Sequence, residues 1–302
     1  MVSVPVDVAR FSKEDKRIMD YRYLNPKNDV AFKKIFGTEK NKDVLIHFLN
    51  DILYQEFSSK IVDVTIENPT QLPEIAGSKE SILDVLCTDD KGIKYIVEMQ
   101  VAGHIGFEKR AQYYAAKAYS SQLLSTERYG GLKAVIFLAI LEFDMLQGQT
   151  KYKSQHIILD KDTHLHHLKD FSFTFIELPK FTKTNIEDLV TYEDKWCYFF
   201  KHADRPDDMR KFLASFPDIA IIEKAYDTLE AHNWTRDELQ NYDRSEKIHF
   251  DTLAREDYVK AESKAETQKE IAQRLLNSGV DSSIIAAATQ LTLAQIEEIK
   301  NS

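Results

Sequence analysis

Between residues 41 and 53 apolar side chains recur three and four positions apart, at Val44, Leu45, Phe48, Leu49 and Ile52, which predicts a helix with one apolar stripe. Ahead of it, Asn25-Pro26 has the form of a helix start, asparagine as cap and proline in the first turn, and predicts a helix over 27–36 that stops at Gly37. The pattern then changes. Segments 61–67, 81–88 and 93–101 are dense in β-branched and aromatic residues and read as strands. Segment 107–124, rich in Ala, Gln, Lys and Tyr and free of Pro and Gly, predicts a helix. After the Gly130-Gly131 break, the apolar run within 132–141 predicts a buried strand. The order is αβββαβ, an α/β core. A helical crossover makes the strands on either side of it parallel and the connection right-handed.

Two more strands are expected at 155–159 and 171–178, joined by a polar, histidine-rich link. From residue 185 the periodicity is helical, with helices predicted over 188–200, 206–216, 218–232 and 236–278. The stretch 256–273 is charged enough to be a solvated helix suited to pairing with another chain. Residues 271–299 have the form of a small helix-turn-helix. Between residues 271 and 302, Arg274 and Lys300 stand against Asp281, Glu297 and Glu298, a poor footprint for DNA, so self-association is expected of residues 236–302. The expected division is a core over 21–182 and a helical C-terminal region over 183–302.

The candidate chemistry lies in the hairpin. Glu98 follows Asp84 by fourteen positions, with the turn sequence Asp89-Asp90-Lys91-Gly92 between them. Strand alternation places Ile82, Asp84 and Leu86 on one side of the first strand, and Lys94, Ile96, Glu98 and Gln100 on one side of the second. Two carboxylates among such apolar neighbours cost several kcal/mol unless compensated, and a divalent cation, Mg²⁺ or Mn²⁺, compensates both. The plainer reading is two solvent-facing acids on a half-exposed sheet. Against it, the second strand precedes a crossover, and open α/β sheets place ligands at the carboxyl ends of such strands.

The carbonyl of Met99 is a further candidate ligand, and the Gln100 amide a candidate to orient water or contact phosphate, although it carries no positive charge. Arg110 opens the following helix and is a candidate phosphate contact. Tyr113 and Tyr114, on the same semi-polar face as Lys117, are expected mainly to pack. Asp29 either approaches the metal or forms a surface ion pair with Lys33 at i+4. His164, His166 and His167 lack partners at zinc spacing beyond Asp160 and Asp162 and read as a solvated loop.

The net charge of −9 alone argues against a nucleic-acid partner. Its distribution changes that. Residues 21–133 hold 15 Lys and Arg against 15 Asp and Glu, so the acidic excess lies after residue 133 and a bound cation would make the candidate site locally positive. Cys87 and Cys197 are far apart in apolar settings and read as core thiols. The longest apolar run, 134–141, is too short to span a bilayer, and the first twenty residues carry charges of both signs, so a cytoplasmic location is expected.

Several ordered blocks carry a family resemblance: Lys27-Asn28-Asp29-Val30-Ala31-Phe32-Lys33-Lys34-Ile35-Phe36-Gly37, residues 45–53, Leu83-Asp84-Val85, Val97-Glu98-Met99-Gln100 and Arg110-Ala111-Gln112-Tyr113-Tyr114. From residue 23 to residue 180 the chain resembles the recombination-promoting nucleases, or PD-(D/E)XK nuclease family transposases. The resemblance implies a restriction-endonuclease-like mixed sheet and metal-dependent DNA cleavage. It matches Asp84 and Glu98 to the metal carboxylates and sets Gln100 where the wider superfamily has lysine, in this family's Glu-x-Gln form. A third acid near the metal, Asp29, is implied as well. The competing expectation is a catalytically weak DNA-binding or assembly protein on the same fold.

Overall fold

The computed structural model describes residues 23–54, 60–71, 81–103, 106–123 and 128–301. The expected end of a helix at residue 124, the charged first twenty residues and the side chain of Ile82 lie outside them. The described residues form two units, which divide between Ser245 and Glu246.

The first unit opens with α1 (Asp29–Phe36) and α2 (Lys42–Leu53). Helix α1 starts two residues later than expected because Asn28, not Asn25, is its cap: the Asn28 side chain accepts from the N–H groups of Val30 (2.9 Å) and Ala31 (3.4 Å). Asn25 instead closes the turn before it, accepting from the Lys27 N–H at 3.0 Å. Replacing Asn28 with alanine is expected to cost about 1–2 kcal/mol, read as a lower urea midpoint at unchanged slope.

Strands β1 (Val64–Ile66), β2 (Thr70–Gln71), β3 (Ser81–Ile82), β4 (Val85–Asp89) and β5 (Lys94–Gln100) follow, then α3 (Phe107–Ser120) and β6 (Val135–Leu141), β7 (Lys153–Ile157) and β8 (Phe171–Glu177). Six strands make one mixed sheet in the order β1-β4-β5-β6-β8-β7, while β2 and β3 pair separately. β4 and β5 are antiparallel, and β5, β6 and β8 run parallel, as the helical crossover through α3 requires. The hairpin turn is held by Asp89, whose side chain accepts from the N–H groups of Lys91 and Ile93, and Gly92 takes the left-handed conformation (φ +86°) there.

The expected strand over 81–88 is broken. Leu83 and Asp84 form a bend between β3 and β4, where the chain leaves one ladder for another. Side-chain hydrogen bonds at Asp84 replace the ladder bonds that a continuous strand would make.

Alternation sorts the sheet residues to two faces. Leu86, Ile96, Phe137, Ala139 and Phe175 meet Phe107, Ala111, Ala115 and Ala118 of α3. Val85, Cys87, Tyr95, Val97, Met99, Ile136, Leu138 and Ile140 belong to the larger core with α1 and α2. That core does not end at residue 182. Helices α4 (Tyr192–His202), α5 (Pro206–Ser215) and α6 (Ala220–Thr228) feed Trp196, Phe199, Phe200, Phe212, Ile222 and Tyr226 into it. Trp196 packs on Phe36 and Phe48 and donates its indole N–H to Asp51 at 2.9 Å. The separation expected at 182/183 therefore moves to 245/246, because these aromatic helices are built into the core of the first unit and are not an appendage.

The division falls within α7 (Arg236–Asn277). In the second unit, the end of α7 gathers with α8 (Ser282–Thr289) and α9 (Leu293–Asn301) around Ala272, Ile285 and Ile296. Asp281 caps α8, and Thr292 with Gln295 forms a reciprocal cap on α9. No helix among the described residues is long and apolar enough to cross a membrane. Cys87 and Cys197 are buried free thiols.

Candidate metal centre

Register brings the two hairpin acids together. Val85 pairs with Val97, so the next position places Asp84 opposite Glu98. They are tied reciprocally: the Asp84 N–H donates to Glu98 Oε1 at 3.1 Å, and Asp84 Oδ2 accepts from the Met99 N–H at 2.9 Å. Glu98 lies on the α3 face beside Ile96 and is only 3% exposed. The cross-strand neighbour in β6 is Ala139, small enough to leave room for a carboxylate.

Both acids are held away from their ordinary ionisation. Burial, then the neighbouring Asp29 carboxyl, pushes Asp84 up to about 7, while Lys33 and the Met99 N–H pull the other way. Burial, then Asp84, drives Glu98 well above the carboxylate range, against the bond from the Asp84 N–H and the charges of Arg110 and Lys33. Ionising both in this enclosure without added positive charge is costly.

Lys33, read from sequence only as the partner of Asp29, reaches both acids: its Nζ stands 2.7 Å from Asp29 Oδ1 and 3.3 Å from Asp84 Oδ1. Burial works against its charge, and Asp84 and Asp29 more than restore it, so its pKa lies above the ordinary lysine value. On the opposite flank Arg110 donates from Nη2 to Gln100 Oε1 and lies over the rings of Phe107 and Tyr114. Its Nε is buried and has no hydrogen-bond partner among the described residues.

The remaining candidates divide. The Gln100 amide is engaged at both ends, accepting from Arg110 and donating to the Met99 carbonyl at 3.0 Å. The same bond occupies one lone pair of the carbonyl expected as a ligand. Tyr114 is half-buried within reach of Arg110, Glu98 and Asp84, and Tyr113 is more exposed. Among the described residues no group of three or more His, Cys, Asp and Glu side chains is gathered for a metal. Asp84 and Glu98 form a pair, and Asp29 approaches Asp84 while tied to Lys33. The histidine link carries no such group either, and Asp160 accepts from the N–H groups of Asp162 and Thr163 in its own turn.

A further ion pair adjoins the site. Lys27 Nζ lies 3.0 Å from Glu142 Oε1, and the Glu142 N–H donates to the Gln100 carbonyl. The legible signal was position, since Glu142 directly follows the buried run at the carboxyl end of β6. Lys33 gave no such signal, because an i,i+4 pair looks the same on a bare helix surface and above a buried acid.

Residues 26–258 match the family described as PD-(D/E)XK nuclease family transposase. The chain belongs to this family. The match includes α1, the hairpin acids, α3 and the helices through α6, and continues 78 residues beyond the resemblance read from the sequence blocks. Comparison with curated proteins gives no significant match, and neither does comparison with solved structures. Membership in the PD-(D/E)XK nuclease family transposases implies a nuclease-like function and agrees with the mixed α/β sheet. The donor set is of the right chemistry for a metal: two carboxyls whose ionisation burial opposes suit a hard divalent cation.

Proposed function

We propose that this protein is a Mg²⁺- or Mn²⁺-dependent DNA endonuclease with a restriction-endonuclease-like core. The observation that carries the reading is the reciprocal clamp of Asp84 and Glu98, two buried acids with raised pKa fixed at one register position of β4 and β5. Asp84 and Glu98 would hold the metal, with Asp29 and the second lone pair of the Met99 carbonyl as further oxygen donors. When bound, a divalent cation supplies a water activated for attack and neutralises charge on the phosphate.

The chain's own residues do the rest. The hydrogen bonds from the backbone N–H groups of Met99 and Asp84 fix the orientation of the two acids before substrate arrives. Arg110, packed over Phe107 and Tyr114, sets its guanidinium charge beside Glu98, where negative charge would develop on the phosphate. Gln100 holds Arg110 in place, so it acts as a positioning residue.

Supercoiled plasmid is expected to be nicked or linearised with Mg²⁺, left intact with EDTA, and left intact by Asp84→Ala. Cleavage that survives this substitution defeats the assignment. The second reading, DNA binding or assembly without efficient cleavage, draws on Gln100, whose amide is internally engaged and adds no charge. A metal-independent mobility shift without product formation would favour it. Self-association through residues 246–302 is part of the proposal, supported by the exposed Ile248, Phe250, Tyr258 and Val259 of α7.

A further inference from the structure

Positive charge is the component that Gln100 cannot supply, and the structure brings it from another element. Helix α1 buries Ala31, Phe32, Ile35 and Phe36 in the core. Its cap Asn28 is itself buried and donates to the Tyr242 carbonyl at 3.4 Å, so the helix is fixed at its start as well. The Lys33 side chain nevertheless keeps 34% of its surface exposed. Its ammonium lies against Asp84, which the first reading assigns to the metal, and against Asp29. Arg110 lies on the α3 side of the same acids.

We propose, on the basis of the nuclease reading, that Lys33 occupies the cation's place in the metal-free protein and becomes a catalytic residue when metal displaces it, moving its ammonium onto the DNA phosphate. Charge arithmetic supports the exchange. Even with Asp29, Asp84 and Glu98 all ionised around it, a divalent cation together with Lys33 and Arg110 leaves the site one net positive charge, which one phosphodiester group neutralises. A lysine suits this exchange because its four-carbon stem is flexible and its ammonium needs no fixed bidentate partner.

The two roles predict opposite effects of one substitution. In Lys33→Met, Mn²⁺ titrated alone into DNA-free protein is expected to bind about fivefold more tightly, because a partly exposed ion pair no longer competes. Cleavage at saturating Mn²⁺ is expected to fall about 100-fold, since a charge at the phosphate is lost. Lys33→Arg retains the charge and is expected to restore wild-type Mn²⁺ affinity and part of the cleavage. Lys33→Gln repeats both measurements, so a folding defect peculiar to methionine does not decide the outcome.

Mn²⁺ binding that is weaker or unchanged in the Met and Gln variants overturns the competition, and unchanged cleavage at saturating Mn²⁺ overturns the catalytic role. Wild-type protein that binds Mn²⁺ and cuts nothing defeats the nuclease reading and the catalytic role together. The Mn²⁺ titrations would then still decide the competition alone.

Discussion

Glu98→Gln is expected to melt several degrees above the wild type in EDTA at pH 8 and to cut DNA at least about 100-fold more slowly. Glutamine keeps an oxygen for the Asp84 N–H and nearly the same volume, so packing and the clamp survive. It removes an ionisable group whose charge is opposed by burial and by Asp84. The direction with pH follows from linkage. Below the ordinary glutamate value of about 4.3, folded and unfolded wild-type chains both carry the proton, and the two proteins melt alike. As pH rises, the unfolded chain releases its proton while the folded site retains it, so wild-type stability falls. The variant has no such proton, and its advantage opens from about pH 4.3 upward and widens as pH rises. Thermal melts at pH 4 and pH 8 check the stability arm and plasmid cleavage checks the other. Equal melting at pH 8 would mean that Glu98 ionises freely, and the buried acidic pair would lose its physical basis.

A chain ending at residue 182 is expected not to fold, whereas a chain ending at residue 245 is expected to fold and retain cleavage. The shorter fragment lacks Trp196, Phe199, Phe200, Phe212, Ile222 and Tyr226, and so exposes the face of α1 and α2 that these side chains cover. Loss of a single aromatic of this kind costs about 3–5 kcal/mol, comparable to a large part of a domain's net stability. The longer fragment keeps Tyr242, whose hydroxyl accepts from the Asn25 N–H at 3.0 Å and whose carbonyl accepts from Asn28. Circular dichroism and cooperative thermal unfolding distinguish the fragments. Light scattering of the longer one tests the proposed self-association, since the same number of chains per particle as in the full-length protein would remove residues 246–302 from that role.

The facing of Asp84 and Glu98 is legible in the sequence because its logic is local. Turn chemistry at residues 89–92 sets the loop, and counting back from it along both strands places Asp84 opposite Glu98. The bend at Asp84 was not readable, since the same residues suit a continuous strand and the exchange of one ladder for another depends on distant pairing with β2. Asn25-Pro26 imitates a helix start, but the cap that wins is Asn28, which finds both free N–H groups and the Tyr242 carbonyl. The helices that complete the core beyond residue 182 carry a visible signal. Trp196, Cys197, Tyr198, Phe199 and Phe200 are consecutive, and a helix apolar over so much of its circumference belongs inside a core.

The cross-bracing of the two acids makes the pairing of β4 with β5 a proofreading step. Each carboxylate is seated by an amide from the opposite strand, so a slip of one residue would unseat both and turn Glu98 to the other face of the sheet. In the proposed nuclease, a half-folded or mispaired chain would then lack the paired acids, and cleavage would be reserved for molecules that have already reached the correct alignment.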